Sequence, residues 1–218
     1  MTQPAQPRRP KLRRDAEEKR ERIVEAARRL VAESGIDAGR ELIARSADVG
    51  LATVYRRFPN LDALYYEVFA DQLAAVRALI DETAAIEDPW IALTQFIERS
   101  CELLRDNRGL QAFLHGRLPE DEGPDDRTRI LPAVERLVDR AREAGKVRDD
   151  LGTGDIAVLF AVTGTLIEAF RTVDPDLYQR YLTVFLDGIK RGHRAPTLPA
   201  AAPTSTQLDD ILKAWQRD

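Results

Sequence analysis

The chain has 218 residues, 44% of them apolar, and a single cysteine, Cys101. It is long enough to close a core unaided, and one cysteine excludes an internal disulfide framework. The net charge of −4 is unevenly spread: residues 1–60 hold 14 Lys/Arg against 9 Asp/Glu, the other 158 hold 19 against 28, so only the N-terminal piece suits a polyanion.

Helical periodicity recurs along the chain and strand alternation is hard to find. Residues 16–34 place Ile23, Ala26, Ala27, Leu30 and Val31 at helical spacing among charges, and Ser34-Gly35 ends that helix. A short segment over 40–47 follows, then a second over 51–58 that Pro59 closes. Asn60 caps a long helix carrying Leu64, Val68, Leu73, Val76 and Ile80. Asp88-Pro89 starts a helix with Trp90, Leu93, Phe96, Ile97, Cys101 and Leu104, which stops at Asn107-Arg108-Gly109. A short helix with Leu110, Phe113 and Leu114 leads into the acidic loop "PEDEGPDDR". The next helix holds Val134, Leu137, Val138 and Ala141 and stops at Gly145; Pro132 lies in its first turn or kinks it. "GTGD" opens a helix over about 155–171, and Asp174-Pro175 starts a last long helix ending near Lys190. Residues 194–204 read as a Pro/Ala-rich tail, and "QLDDILKAW" as a weak amphipathic helix behind it.

The expected class is all-α, in four stretches: a basic flexible arm over 1–15, a unit with two short helices over 16–60, a helical body over 61–193 and a tail over 194–218. No apolar run near the ~18 residues of a membrane span is expected, and the basic start "MTQPAQPRRPKL" lacks the apolar segment of a secretory signal. The expected compartment is the cytoplasm.

Two short helices joined by a tight turn and packed on a preceding helix make a helix-turn-helix unit. Ile43, Ala44 and Ala47 face inward on the first. Asp48 occupies the turn, where a short polar side chain tolerates a left-handed backbone. Val54 and Phe58 anchor the second helix. Leu51, Ala52, Thr53, Tyr55, Arg56 and Arg57 remain on the exposed arc. Hydroxyls bond phosphate oxygens, arginine grips phosphate or a guanine edge, and small apolar groups enter a major groove or touch a thymine methyl.

"RIVEAARRLVAESG", "LIARSADVGLATVYRRFP" and "LDALYYEVF" together resemble the DNA-binding region of the tetracycline-repressor (TetR) family over about residues 20–70. The resemblance implies that Thr53, Tyr55 and Arg56 contact operator DNA, Thr53 and Tyr55 chiefly through phosphate. It places Gly50, Leu51 and Ala52 nearest the bases. Arg57 reaches the backbone or is solvated, and the arm residues Arg8, Arg9, Lys11, Arg13 and Arg14 meet a flanking groove or only water. Three positions depart from the family pattern. Gly39-Arg40 stands where Ser or Thr usually starts the first short helix, Arg40 replacing that phosphate contact by charge. Asp48 stands at a turn that is often glycine, and Leu61 where lysine is favoured.

In that family the C-terminal body binds a small ligand and forms the dimer. Ala157, Ala161, Gly164 and Thr165 give a small-residue face, and Tyr178, Tyr181, Leu182, Phe185 and Ile189 a bulky one, either for a two-fold four-helix contact or for an intramolecular core. Leu73, Phe96, Cys101, Leu104, Phe113, Leu137 and Phe160, with Phe69 and Val134, line a ligand cavity or form plain core. His115 and Arg117 are the polar candidates for orienting a ligand, Glu168 a further one for a cationic ligand. Expected partners are double-stranded operator DNA, an unidentified small molecule and a second copy of the chain, with no membrane. No cofactor, metal or catalytic residue is expected: the chain has two histidines, His115 and His193, and no H-E-x-x-H, C-x-x-C, G-x-G-x-x-G or P-loop. The alternative is an all-α interaction module whose helix-turn-helix does not hold DNA tightly.

Overall fold

The computed structural model describes residues 9–34, 38–107, 110, 126–192, 196–204, 206–207 and 211. Among them are nine helices, no strand and one isolated bridge, between Val147 and Lys190. The chain forms two compact units, 1–69 and 70–218.

The first unit holds α1 (Arg9–Ser34), α2 (Arg40–Ser46), α3 (Leu51–Arg57) and α4 (Leu61–Val68). The periodic set in α1 is its buried face: Ile23, Ala26, Ala27 and Val31 are buried. That face packs on α2 and α4, and α2 packs on α3. The expected arm is helical from Arg9 onward, seven residues before the expected helix start at residue 16. Pro10 sits in the first turn, where no N–H is needed, and pairs such as Arg14–Glu18, 3.0 Å apart at i,i+4, support a segment that is polar all round. Asn60 caps α4 as expected, its side chain accepting from the Ala63 N–H at 2.7 Å. Arg20 of α1 pairs with Glu67 of α4.

The long helix expected after Asn60 is in fact two, α4 and α5 (Ala70–Ala84). Phe69 breaks it: its N–H still bonds the Tyr65 carbonyl at 2.9 Å, but its ψ of 13° ends the α geometry. No Gly or Pro announces the break, and Phe69 itself is buried.

The second unit continues with α6 (Pro89–Asp106), α7 (Asp126–Glu143), α8 (Thr153–Phe170) and α9 (Tyr178–Ile189). Helix α6 is central and packs on α5, α7 and α8; α8 also packs on α7 and α9. Asp88 caps α6 as expected, accepting from Trp90 and Ile91 N–H at 2.8 and 3.1 Å. Those bonds hold its carboxyl below the usual range. Gly145 ends α7 with φ +64°, and Lys146 N–H reaches back to Ala141 O at 2.9 Å. Pro132 lies inside α7 rather than in its first turn.

Asp174-Pro175 does not start the last helix. Asp174 accepts from the Asp176 N–H at 3.1 Å and from the Leu177 N–H at 3.1 Å, which closes a turn, so α9 begins only at Tyr178. Helix α8 is 18 residues long with a mean hydropathy of 1.5, so one helix does have the length and composition of a membrane span, against the sequence expectation. It packs among α6, α7 and α9.

The tail is partly built into this unit. Residues 196–204 run over the start of α8: Arg148 donates to Pro196 O at 2.6 Å, and Asp150 accepts from the Leu198 N–H at 2.7 Å. Most of "QLDDILKAW" lies outside the described residues, as do the expected short helix beyond Leu110 and the acidic loop "PEDEGPDDR" up to residue 125; its last two residues, Asp126 and Arg127, begin α7.

Candidate nucleic-acid interface and helical body

Helix α2 starts after Gly39, whose extended backbone (φ −63°, ψ 157°) lets its carbonyl take the first bonds from Leu42 and Ile43 N–H at 3.0 and 3.1 Å. The turn after it is closed by Ala47 N–H to Ile43 O at 2.9 Å and Val49 N–H to Ala44 O at 3.0 Å. Such closure demands a left-handed residue between them, and Asp48 supplies it with φ 51°. Its carboxylate is fully exposed, 3.8 Å from the Arg22 guanidinium.

Helix α3 is anchored as the residue pattern requires. Val54 and Phe58 are 0% and 1% exposed, and the Phe58 N–H bonds Val54 O at 2.8 Å. The Arg20 guanidinium lies 4.8 Å over the Phe58 ring. Facing outward are Gly50, Ala52, Tyr55 and Arg56; Leu51, Thr53 and Arg57 are half-buried on the flanks. Tyr55 is 49% exposed, a high value for an aromatic ring. A Cβ at Gly50 would meet nothing within 4 Å, so crowding is not why glycine stands there. Arg40 does not point freely outward: it donates to Pro59 O at 3.1 Å and its Cζ lies 4.8 Å over the Tyr55 ring. The side chains of Arg9, Lys11 and Arg13, and all of Arg8, fall outside the described residues; Arg14 is exposed.

In the second unit Leu73, Phe96, Cys101, Leu104, Val134 and Leu137 are buried. Phe160 is half-buried and meets Phe96 edge to face at 5.9 Å. Phe69 belongs to the first unit. Phe113, His115 and Arg117 lie outside the described residues, and Glu168 is exposed, paired with Arg171 at 2.9 Å. Among the expected interface residues, Ala161, Gly164, Tyr178 and Leu182 are buried in the chain's own core. Ala157, Phe185 and Ile189 are half-buried, and Thr165 and Tyr181 exposed. Tyr181 stacks on Phe170 at 5.7 Å, and Val173 and Val184, which sequence reasoning missed, are exposed beside that pair in sequence.

Two further residues were missed. Thr83, Thr94, Thr165 and Thr183 each donate to the carbonyl four residues back. Thr163 of α8, fully buried, makes no such bond, and neither does Ser100 of α6; both hydroxyls are buried without a partner. Helices α6 and α8 run side by side in the same direction, since Phe96 meets Phe160 and Arg105 O meets the Arg171 guanidinium at 3.4 Å. Ser100 and Thr163 lie between those contacts. An unpaired buried hydroxyl costs about 1–3 kcal/mol, so each of the two side chains carries an unmet hydrogen-bonding demand. A serine or threonine within an apolar helix run was the only sequence signal for them.

Cys101, beside Ser100, has its thiol pushed up to about 12, by burial first and then by the charges of Glu98 and Glu102. The thiolate is the reactive form. The native protein is therefore expected to resist iodoacetamide at pH 8 and to be alkylated only on unfolding; prompt alkylation of folded protein would show the α6 core open.

A short, buried-anchor helix presenting hydroxyl and guanidinium groups, joined by a tight turn to a second short helix, defines a helix-turn-helix DNA-binding protein. Residues 23–68 match the family of bacterial regulatory proteins of the tetR family, and residues 88–191 match the C-terminal domain of SbtR-like transcriptional regulators. The chain belongs to the TetR family of transcriptional regulators. These regulators bind operator DNA, form dimers and bind small molecules. Among solved structures, the stearoyl-CoA complex of the regulator FadR from Bacillus subtilis is 18% identical, with a TM-score of 0.55, covering 78% of this chain and 98% of that one. The fatty acid degradation regulator FadR from Bacillus halodurans is 19% identical, with a TM-score of 0.55, covering 78% and 95%. Both share the fold. The TetR regulator SCO0520 from Streptomyces coelicolor is 29% identical, with a TM-score of 0.47, covering 78% and 98%. No curated protein matches the chain.

Proposed function

We propose that the chain is a cytoplasmic repressor that holds a two-fold operator as a homodimer and leaves it when a small molecule occupies the helical body. It acts by binding and not by catalysis. The observation that carries this is α3: a seven-residue helix anchored by buried Val54 and Phe58, with Ala52, Tyr55 and Arg56 directed at solvent. Thr53, Tyr55 and Arg56 hold the DNA, the hydroxyls chiefly through phosphate; Gly50, Leu51 and Ala52 approach the bases; Arg57 sits at the flank. In a two-fold dimer two such helices stand about 34–36 Å apart, one turn of the duplex. The exposed Thr165, Tyr181 and Val184 favour the α8–α9 face as the meeting surface. The guest is an apolar molecule with one or two hydrogen-bonding groups, taken up among Phe96, Leu104, Leu137 and Phe160, where the unpaired Ser100 and Thr163 hydroxyls receive it. Its binding shifts the population between two dimer arrangements, only one of which matches the half-site spacing.

The test is a mobility shift at low salt with the promoter beside the protein's own gene. Tyr55→Ala is expected to weaken every duplex about 10-fold and nearly uniformly, whereas changes at Leu51 or Ala52 redistribute preference among sequences. Variants that bind like the wild type would show α3 to be misassigned. A wild type that shifts no duplex would favour an interaction module instead.

A further inference from the structure

We infer that Arg40 is a positioning residue for Tyr55, a guanidinium clamp across the two short helices and not itself a phosphate contact. The inference rests on the DNA-binding reading of α3 and goes beyond it.

Three observations carry it. Arg40 is the first residue of α2, and its Cζ stands 4.8 Å over the ring of Tyr55, in α3. Its Nη2 donates to the carbonyl of Pro59, just past the end of α3, at 3.1 Å. Its Nε is sealed from solvent yet has no hydrogen-bond partner. These fit one arrangement: the guanidinium plane lies against the ring, which covers Nε, while its edge is tied to the backbone. Arginine suits this, since its planar, weakly hydrated group stacks on aromatic faces and donates in its own plane.

The consequence concerns order. Tyr55 is half-exposed on a helix of seven residues, and nothing else described in the structure bonds its ring. A free tyrosine on such a surface samples several rotamers and must be immobilised when it meets a phosphate, at a cost in affinity. A ring already covered by Arg40, which is itself tied to the Pro59 carbonyl, presents its hydroxyl in one direction. A cation engaged by the ring and by a carbonyl is correspondingly less available to a phosphate. Arg40 therefore compensates the missing Ser or Thr at the start of α2 indirectly, by fixing a neighbouring group.

The two roles give different salt and coupling behaviour. If Arg40 gripped a phosphate itself, Arg40→Ala would lower the slope of log K against log salt by about 0.9. Removing a positioning residue weakens binding and leaves the slope unchanged. Affinity for a duplex selected from random sequence by the wild type is measured across a salt series for wild type, Arg40→Ala, Tyr55→Ala and the double variant, with thermal melts confirming that each is folded. The expected result is a drop of about fivefold for Arg40→Ala, an unaltered slope, and little further weakening when Arg40→Ala is added to Tyr55→Ala. Additive effects with a lowered slope would overturn the clamp. A second arm needs no DNA: the Arg40 side-chain N–H proton is expected upfield in the NMR spectrum, through the ring current, and to return downfield in Tyr55→Leu. If the wild type selects no duplex, the DNA-binding reading falls by itself and this arm decides the clamp, an Arg40 resonance indifferent to Tyr55→Leu overturning it.

Discussion

Phe58→Ala is expected to cost the first unit about 3–5 kcal/mol, the range for emptying a buried phenyl site. Phe58 is 1% exposed, so the vacated volume has no water to refill it. The substitution also removes the ring beneath the Arg20 guanidinium, 4.8 Å away, leaving Arg20 with Glu67 alone. Its effect on α3 is larger than on a longer helix. Seven residues are well under the ~12–15 that an isolated helix needs, so α3 exists only because Val54 and Phe58 are bound by neighbours. Urea unfolding followed by far-UV circular dichroism is expected to show an early transition for the first unit and a nearly unmoved one for the second. Duplex binding is expected to vanish at urea concentrations the wild type tolerates. A variant with an unchanged midpoint would mean that α3 is held elsewhere.

Gly154→Ala is expected to release the strap over 196–204. Alanine normally improves a helix by about 0.5–1 kcal/mol over glycine. Here the added Cβ would fall well inside contact with the carbonyl oxygen and carbon of Pro203, which are backbone and cannot rotate away. Such overlap costs about 1–3 kcal/mol, so it outweighs the gain. The strap is the softer partner: it is mostly exposed and tied by the Arg148–Asp150 pair rather than by a core. That pair, first through the Arg148 bond and then through the Leu198 N–H, holds the Asp150 carboxyl down at about 2. A lowered carboxyl contributes stability that is fully present above its ordinary 3.8 and lost as the pH falls through about 2, so the tie is intact at neutral pH. The Leu198 amide is expected to exchange about 10-fold faster or more in Gly154→Ala, and protease cleavage to appear within 196–204, while the helices melt nearly as before. Unchanged protection of Leu198 would mean that the strap is not seated against α8.

How much was legible in the sequence depends on how local each decision is. Asn60 and Asp88 cap their helices, Gly145 ends α7, and Asp48 takes the left-handed turn, because each choice is settled by one side chain and the few peptide groups nearest to it. The inward set of α3 was readable too, since Val54 and Phe58 recur at helical spacing in a segment whose other residues are polar or small. Elements lacking such a marker were misplaced. Nothing in "YYEVFADQL" signals the break at Phe69, and Asp174-Pro175 carries the same letters as Asp88-Pro89 yet closes a turn.

The sequence by itself determined the all-α class, the family, and the helix-turn-helix with its outward arc, because periodicity, caps and a short motif act over a few residues. Only the tertiary structure decided that Arg40 lies over Tyr55, that Ser100 and Thr163 are buried unpaired, that Tyr178 and Leu182 are packed into the chain's own core, and that the tail returns to Gly154. Each of those depends on which surfaces distant segments bring together, and a pattern that repeats along one helix says which side is apolar but not what will cover it.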